Sequence, residues 1–251
     1  MKKHKMDNYK FFNYTSEFYD KMINPEEVIK NKTAFYRKII TPDMHSAADV
    51  GCGTGSDSIA LALNGLDVIG FDPASEMIIK AKQNSAKYDL KILFSVNPAE
   101  KIPAKYYGKY DIVVSMGNAI VNVSPDNIDR AFKNIYSLLK PQGVFLMQIL
   151  SYRVILKNNK RIINITKHDN NFYVRFYDIL KESLNFNILS FNGDNPSAGE
   201  IQTTVLYPYS HKFISKALRE AGFKKLFLFS DLEINRYNFR KSKDLIIKAI
   251  K

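Results

Sequence analysis

The chain has 251 residues, 45% of them hydrophobic, so its length fits one α/β domain with an insertion and allows a sizeable core. Its net charge of +12 admits an anionic partner such as RNA, yet the lysines are scattered, with short basic clusters only at 2–5, 157–161 and 240–243. No apolar run approaches the about 18 residues of a membrane span, and the basic start Met1-Lys2-Lys3-His4-Lys5 lacks the apolar stretch of a signal peptide. The single cysteine excludes an internal disulfide and no Cys/His cluster has metal-ligand spacing, so the expectation is a metal-free protein of the reducing cytoplasm.

Residues 1–45 read as helices that form an N-terminal cap. Phe11, Phe12, Tyr14, Phe18, Tyr19 and Met22 recur near helical spacing, and Pro25 suits the first turn of a second helix. From 46 to 150 strands and helices alternate. The pattern predicts strands over 47–51, 67–71, 90–95, 110–115 and 144–150. Helices fall at 56–63, from Pro73 to about Ala86, and behind Ser124-Pro125, where Ile128, Ala131, Phe132, Ile135 and Leu138 make one apolar face. Such βαβ units imply a doubly wound, mostly parallel sheet with right-handed crossovers. Period-2 runs at 161–166, 172–178, 184–191 and 201–207, separated by polar turns, predict an antiparallel insertion. A helix at 211–221 ends at Gly222, and strands at 225–230 and 244–250 complete a seven-stranded sheet. The expected division is a cap at 1–45, a Rossmann-like unit at 46–150 and 208–251, and an insertion at 151–207 acting as a substrate lid.

The strongest local signal is Ala48-Asp49-Val50-Gly51-Cys52-Gly53-Thr54-Gly55, a glycine turn between a strand and a helix, with Asp72 at the end of the next strand. A turn of this kind brings backbone close to a nucleoside, and an acid at that place accepts from ribose hydroxyls. The spacing is G-x-G-x-G, and Ser56 stands where a dinucleotide fingerprint has its third glycine. The stretch resembles the D-x-G-x-G-x-G motif of class I S-adenosylmethionine-dependent methyltransferases. The resemblance extends over about 35–251. Tyr110-Asp111-Ile112-Val113-Val114 matches the family's fourth strand, Leu139-Lys140-Pro141-Gln142-Gly143 its L-K-P-G-G turn, and Ala221-Gly222-Phe223 its A-G-F. Ser115-Met116-Gly117-Asn118 resembles the L-G-N-S segment of the small-molecule branch that includes glycine N-methyltransferase.

The resemblance implies S-adenosyl-L-methionine as cofactor and S-adenosylhomocysteine as product. It implies cofactor roles for Asp49, Gly51, Cys52, Gly53 and Gly55 around the methionine end, for Asp72 at the ribose with Pro73 and Met77 beside it, and for Met116 and Gly117 behind the fourth strand. The family's adenine-binding aspartate has no counterpart at Asn97-Pro98-Ala99, so adenine falls to the Ala99 N–H, Asn97 or Glu100.

Methyl transfer from a sulfonium is an in-line displacement that needs alignment and exclusion of water, with no covalent residue. Ligands of a doubly wound sheet lie at the carboxyl ends of its strands. That rule gives Asn118, Tyr152 and Arg153, the expected lid adds Arg175, Tyr177 and Tyr207, the cap adds Tyr14 and Tyr19, and His211 at the head of a helix is a candidate base. Asn118, Tyr152, Arg153, Arg175, Tyr177 and His211 are the candidates for the chemistry, and Tyr14, Tyr19, Asn118 and Tyr207 those for holding substrate. The leading expectation is transfer to nitrogen or oxygen of a small molecule. An RNA methyltransferase, motivated by charge, and a non-catalytic nucleoside-binding protein stand as alternatives. Ser115-Met116-Gly117-Asn118 is not the [N/D]-P-P-[Y/F] of base-amino methyltransferases, and the glycine spacing disfavours NAD.

Overall fold

Two β-sheets, one doubly wound and one antiparallel, make up the computed structural model, which describes residues 2–251. In chain order the elements are β1 (Lys2–Lys5), α1 (Asn8–Tyr19), α2 (Pro25–Arg37), β2 (Ser46–Val50), α3 (Ser56–Ala62), β3 (Asp67–Asp72), α4 (Ser75–Ala86), β4 (Leu93–Val96) and β5 (Tyr110–Ser115). They continue with α5 (Pro125–Leu138), β6 (Leu139–Leu150), α6 (Tyr152–Lys157), β7 (Ile162–His168), β8 (Asn171–Ile179), β9 (Leu184–Asn192), β10 (Asn195–Leu206), α7 (His211–Ala221), β11 (Lys225–Phe229) and β12 (Asp244–Ile250).

The larger sheet has seven strands in the order β11-β12-β6-β5-β2-β3-β4. β2 to β6 run parallel, and β12 is antiparallel to both of its neighbours. Ile112, Val113 and Val114 of β5 are fully buried because helices cover both faces of the sheet. On one face α5 presents Ile128, Ala131, Phe132, Ile135 and Leu138, the stripe its sequence spacing predicts. Each of these side chains other than Ala131 contributes roughly 1.5–3 kcal/mol by leaving water. On the other face Phe35 and Tyr36 of α2 pack with Ala60 and Leu61 of α3. The strand order reverses between β2 and β5, which opens a crevice at their carboxyl ends.

The second sheet is the insertion, β7 to β10 in antiparallel register, with β1 added in parallel to β10. β1 corrects the expectation of helix throughout 1–45. Its residues Lys2–Lys5 are all exposed and carry no apolar period; backbone pairing of Lys2 to Glu200 through Lys5 to Thr203 holds them. α6 was likewise not foreseen, since its six residues are too few to display a helical period. β4 starts later than expected because the Leu90 N–H bonds Ser85 O and so closes α4. β10 starts earlier, at Asn195, through a bulge that hides its alternation before Glu200.

α1 lies between the two sheets. Phe11 sits 5.7 Å from Phe186, and Phe18 stacks on Tyr173 at 5.2 Å, so apolar contact fastens the helix to the antiparallel sheet. On its other side Asn13 accepts the Glu76 N–H at 3.0 Å from α4. The helix therefore roofs the crevice. Among the described residues no helix is long and apolar enough to cross a membrane.

Candidate active site

The glycine turn closes on β3: the N–H groups of Gly51 and Cys52 both donate to Phe71 O, at 2.7 and 3.0 Å. Gly51 has a positive φ of 79°, and a Cβ there would lie 2.6 Å from Ala119 Cβ, so no other residue fits. Gly53 and Gly117 also have positive φ, but a Cβ at either would meet no protein atom. Both line a cleft of about 410 Å³. The turn at Gly53 and the loop after β5 at Gly117 thus leave open the space that two side chains would fill.

Asp72 stands at the cleft wall, 8% exposed. Its Oδ2 accepts the Gly53 N–H at 2.9 Å and its Oδ1 accepts the Ala74 N–H at 2.9 Å. Burial pushes its carboxyl up to about 6, with the two N–H bonds pulling the other way. Each oxygen keeps acceptor capacity for a further donor, which suits the two hydroxyls of a ribose.

Beneath the turn, Asp49 Oδ2 accepts the Ser58 hydroxyl at 2.7 Å, while its Oδ1 is buried without a partner among the described residues. Burial and the neighbouring Asp57 push the Asp49 carboxyl up. Asp57 in turn accepts the Tyr36 hydroxyl at 2.5 Å and pairs with Lys32, so α2 is bonded to the start of α3. Cys52 is buried there too, its thiol pushed well up by burial.

Of the expected cofactor residues, Gly51, Gly53, Asp72, Pro73 and Met77 line the cleft, as do Pro98, Ala99 and Gly117. Asp49, Cys52, Gly55 and Met116 do not; they support the turn and strand ends from below. Gly55 packs against Ala81, 3.1 Å from its ideal Cβ, and Met116 is 4% exposed. Asn97 is outside as well, with its Oδ1 accepting the Ser95 hydroxyl at 2.7 Å. Glu100 lines the cleft instead, nearly buried, with the Tyr9 hydroxyl 3.5 Å away.

The expected substrate residues divide. Tyr19 and Tyr207 line the cleft. Tyr14 donates to Glu200 at 3.0 Å and is 45% exposed, because the helical turn points it away from the roof's inner face. Asn118 fastens β5 to β6: its Nδ2 donates to the Tyr152 hydroxyl at 2.7 Å and its Oδ1 accepts the Leu150 N–H at 3.0 Å. Tyr177 is buried 6.5 Å from Tyr152, making a wall rather than a reacting surface. Arg175 donates through Nε to Asn164 at 2.7 Å within the antiparallel sheet. Tyr152, Arg153 and His211 line a second cavity.

Sequence reasoning missed Asn8, Tyr9 and Phe12, which line the cleft from α1. Asn8 Nδ2 donates to Asn122 O at 2.7 Å, and its Oδ1 accepts the Thr204 hydroxyl, so one side chain joins roof, crevice and insertion. The available signal was the i, i+4 step from Asn8 to Phe12, extended to Tyr19. Asp7, Asp72 and Glu100 are the charged residues of the lining, and no Lys, Arg or His is among its described residues.

A doubly wound sheet whose first crossover carries G-x-G-x-G, with a carboxylate held at the end of the next strand, defines a Rossmann-like nucleoside-binding protein. Residues 47–143 match a family model described as a methyltransferase domain. The chain is 24% identical to the glycine/sarcosine N-methyltransferase of Aphanothece halophytica over 86% of its own length and 81% of that protein. It is 24% identical to the glycine/sarcosine/dimethylglycine N-methyltransferase of Actinopolyspora halophila over 76% of its length, spanning 33% of that longer protein. The fold matches an S-adenosylmethionine-dependent methyltransferase from Clostridium acetobutylicum ATCC 824 with a TM-score of 0.78 at 17% identity, covering 95% of this chain and 98% of that one. Residues 47–143 are thus a methyltransferase domain of the S-adenosylmethionine-dependent type, with S-adenosyl-L-methionine as cofactor, and the whole chain has the fold of such enzymes.

The residues present fit that group. The open Cβ positions of Gly53 and Gly117 leave room for it, Asp72 offers ribose acceptors, and a lining with carboxylates and no cation suits a sulfonium.

Proposed function

We propose that the protein transfers a methyl group to a nitrogen of a small amine, with an oxygen acceptor as the second reading. The observation that carries this is the cleft lining: carboxylates and no cation, under a roof formed by α1. A nucleic-acid backbone needs Lys or Arg to neutralise its phosphates, and none faces the cleft. An amine is nucleophilic once neutral: Glu100 can draw its ammonium form in and, with solvent, take the proton that must leave before attack. An alcohol is far less acidic than an ammonium group, so the lining carboxylates would activate it poorly, and no His or Lys lines the cleft. Similarity to proteins named as glycine/sarcosine N-methyltransferases supports the nitrogen acceptor. An amino-acid carboxylate, however, would meet no positive partner here, which favours amines that lack one.

The cofactor supplies an electrophilic methyl on its sulfonium. Asp72 accepts the ribose hydroxyls, and Gly53 and Gly117 let the backbone approach. Ala99 and Glu100 take the adenine edge in place of the missing aspartate. Tyr19, Tyr207 and Asn122 supply hydroxyl and amide groups to orient the acceptor, and α1 keeps water out. The antiparallel sheet, bonded to α1 through Thr204, serves as the lid. A lone buried thiol at Cys52 suits the cytoplasm.

The test incubates the protein and S-adenosylmethionine with glycine, sarcosine, uncharged-tail amines, phenols and RNA, and measures release of S-adenosylhomocysteine. Turnover with amines is expected. Turnover with RNA alone would overturn the reading.

A further inference from the structure

The strands of the antiparallel insertion are apolar on both faces. Tyr173 and Tyr177 of β8 and Phe186 and Ile188 of β9 turn inward, toward α1 and the larger sheet. Side chains alternate along a strand, so Phe172 and Val174 on β8 and Leu189 and Phe191 on β9 turn outward. The register gathers them. Phe172 lies opposite Phe191, their rings stacked at 5.1 Å with 7° between the planes, and Val174 lies opposite Leu189. Ile165 of β7 pairs with Val174, and Ile201 of β10 pairs with Leu189. One unbroken apolar row, Ile165–Val174–Leu189–Ile201, therefore crosses four strands on the outer face.

Among the described residues, none of these outward side chains packs with the buried apolar groups that join α1, the insertion and the larger sheet. Ile162 and Ile165, on the edge strand, are 56% and 63% exposed. An antiparallel sheet with water on one side normally reads apolar in and polar out; this outer face breaks that rule along the row. Its polar residues are already bonded to one another. Asn187 donates to Asp178 at 3.2 Å and accepts the Thr203 hydroxyl at 2.6 Å, and Lys3 pairs with Asp178 at 3.6 Å. The face thus carries no acid without a counter-charge. Lys5 and Lys167 lie exposed toward its two edges.

Its size is that of a specific interface. Four strands about 4.8 Å apart, two of them nine residues long, present roughly 600 Å² of face before side-chain relief is added. A standard interface takes about 800 Å² from each partner, and a monomer rarely leaves a continuous apolar patch of more than a few hundred Å² in water.

We propose that two copies of the chain pack through this face, sheet against sheet, about a two-fold axis. A two-fold presents the same patch from both sides, so the apolar row meets its own copy and the lysines fall at the rim, the usual arrangement of an interface. Flat sheets stack in this way about 10 Å apart. A lipid surface is the poorer occupant, because the Asp178 group would lose water there and gain no partner. The pairing is independent of the methyl acceptor: α1, which roofs the cleft, packs on the opposite face of the sheet.

The experiment is sedimentation equilibrium of the full chain from about 1 to 100 μM, at low and high salt. A dimer with a Kd at or below about 10 μM is expected. Salt tightens it, because each copy carries a net charge of +12 and their repulsion is screened. Val174→Glu with Ile201→Glu weakens the dimer by about 100-fold or more, since charges on two central strands would be buried without partners. Both changes lower the net charge, so the loss cannot come from added repulsion. Ile165→Glu, at an already exposed position, weakens it by about tenfold. Leu93→Glu, 69% exposed on the edge strand β4 of the larger sheet, leaves it unchanged. Retained S-adenosylhomocysteine binding verifies that each variant folds. The proposal is overturned if the chain is a monomer at about 100 μM, if the Val174 and Ile201 variant dimerises as tightly as the parent chain, if Leu93→Glu dissolves the dimer, or if a monomer sediments with vesicles of phosphatidylcholine and phosphatidylglycerol instead.

Discussion

In the proposed cofactor site, one side chain, Asp72, carries much of the binding. Its backbone bonds to Gly53 and Ala74 aim both oxygens, and burial raises its carboxyl to about 6. Asp72→Ala removes two charge-assisted bonds and is expected to weaken S-adenosylhomocysteine binding by about 100-fold in calorimetry. The raised value also sets a pH dependence. The ionised form is the one the fold disfavours, so without ligand Asp72 contributes stability below its unfolded value near 4, and that contribution is lost as pH rises through about 6. Ribose binding wants the ionised form. The thermal shift produced by S-adenosylhomocysteine should therefore be small at about pH 5 and grow through about pH 6, and in Asp72→Asn that growth should disappear. Gly117→Val tests the open Cβ position. It is expected to abolish cofactor binding while costing about 1–3 kcal/mol for a β-branched residue at positive φ.

At the scale of elements, the legible parts were those with long apolar periods. β5, α7 and β12 keep their expected bounds, and the α5 stripe packs as its spacing dictates. The glycine turn was legible because its chemistry is local: three glycines and an acid suffice. β1 was not, since its four exposed residues are held by backbone bonds to a partner far along the chain. The roof was half legible. Its aromatic spacing announced α1, but only the pairing of Phe11 and Phe18 with the insertion decides that Asn8, Tyr9, Phe12 and Tyr19 face the cleft and Tyr14 does not. Phe11 is fully buried in that contact. Phe11→Ala is expected to cost about 3–5 kcal/mol, read as a fall in Tm. Asn8→Ala, which cuts the roof's polar tie to Asn122 and Thr204, should raise KM for the acceptor more than it changes stability.

The whole molecule separates charge. Its surface is basic, with a net charge of +12, while the cleft is lined by Asp7, Asp72 and Glu100, and Arg153, Lys212 and His211 gather at a second cavity behind Tyr152. No reading of composition could give this, because the lysines spread along the sequence and only folding brings Asp7, Asp72 and Glu100 to one cleft. The net charge suggested an RNA partner; the lining argues for a small amine.

That inward field has a further consequence for turnover. The donor enters as a sulfonium cation and leaves as a neutral thioether, so the attraction of the cleft's carboxylates for the sulfur centre ends when the methyl departs. At an effective dielectric near 20, a carboxylate that came within about 12 Å of that charge would contribute on the order of 1 kcal/mol before screening. Product should therefore be held more loosely than donor, by up to about tenfold, and inhibition by accumulated S-adenosylhomocysteine should be weak. Parallel titrations of the two cofactor forms at low and high salt read this directly: the gap narrows as salt screens the field. In a cleft furnished this way, the reaction itself clears the site for the next cycle.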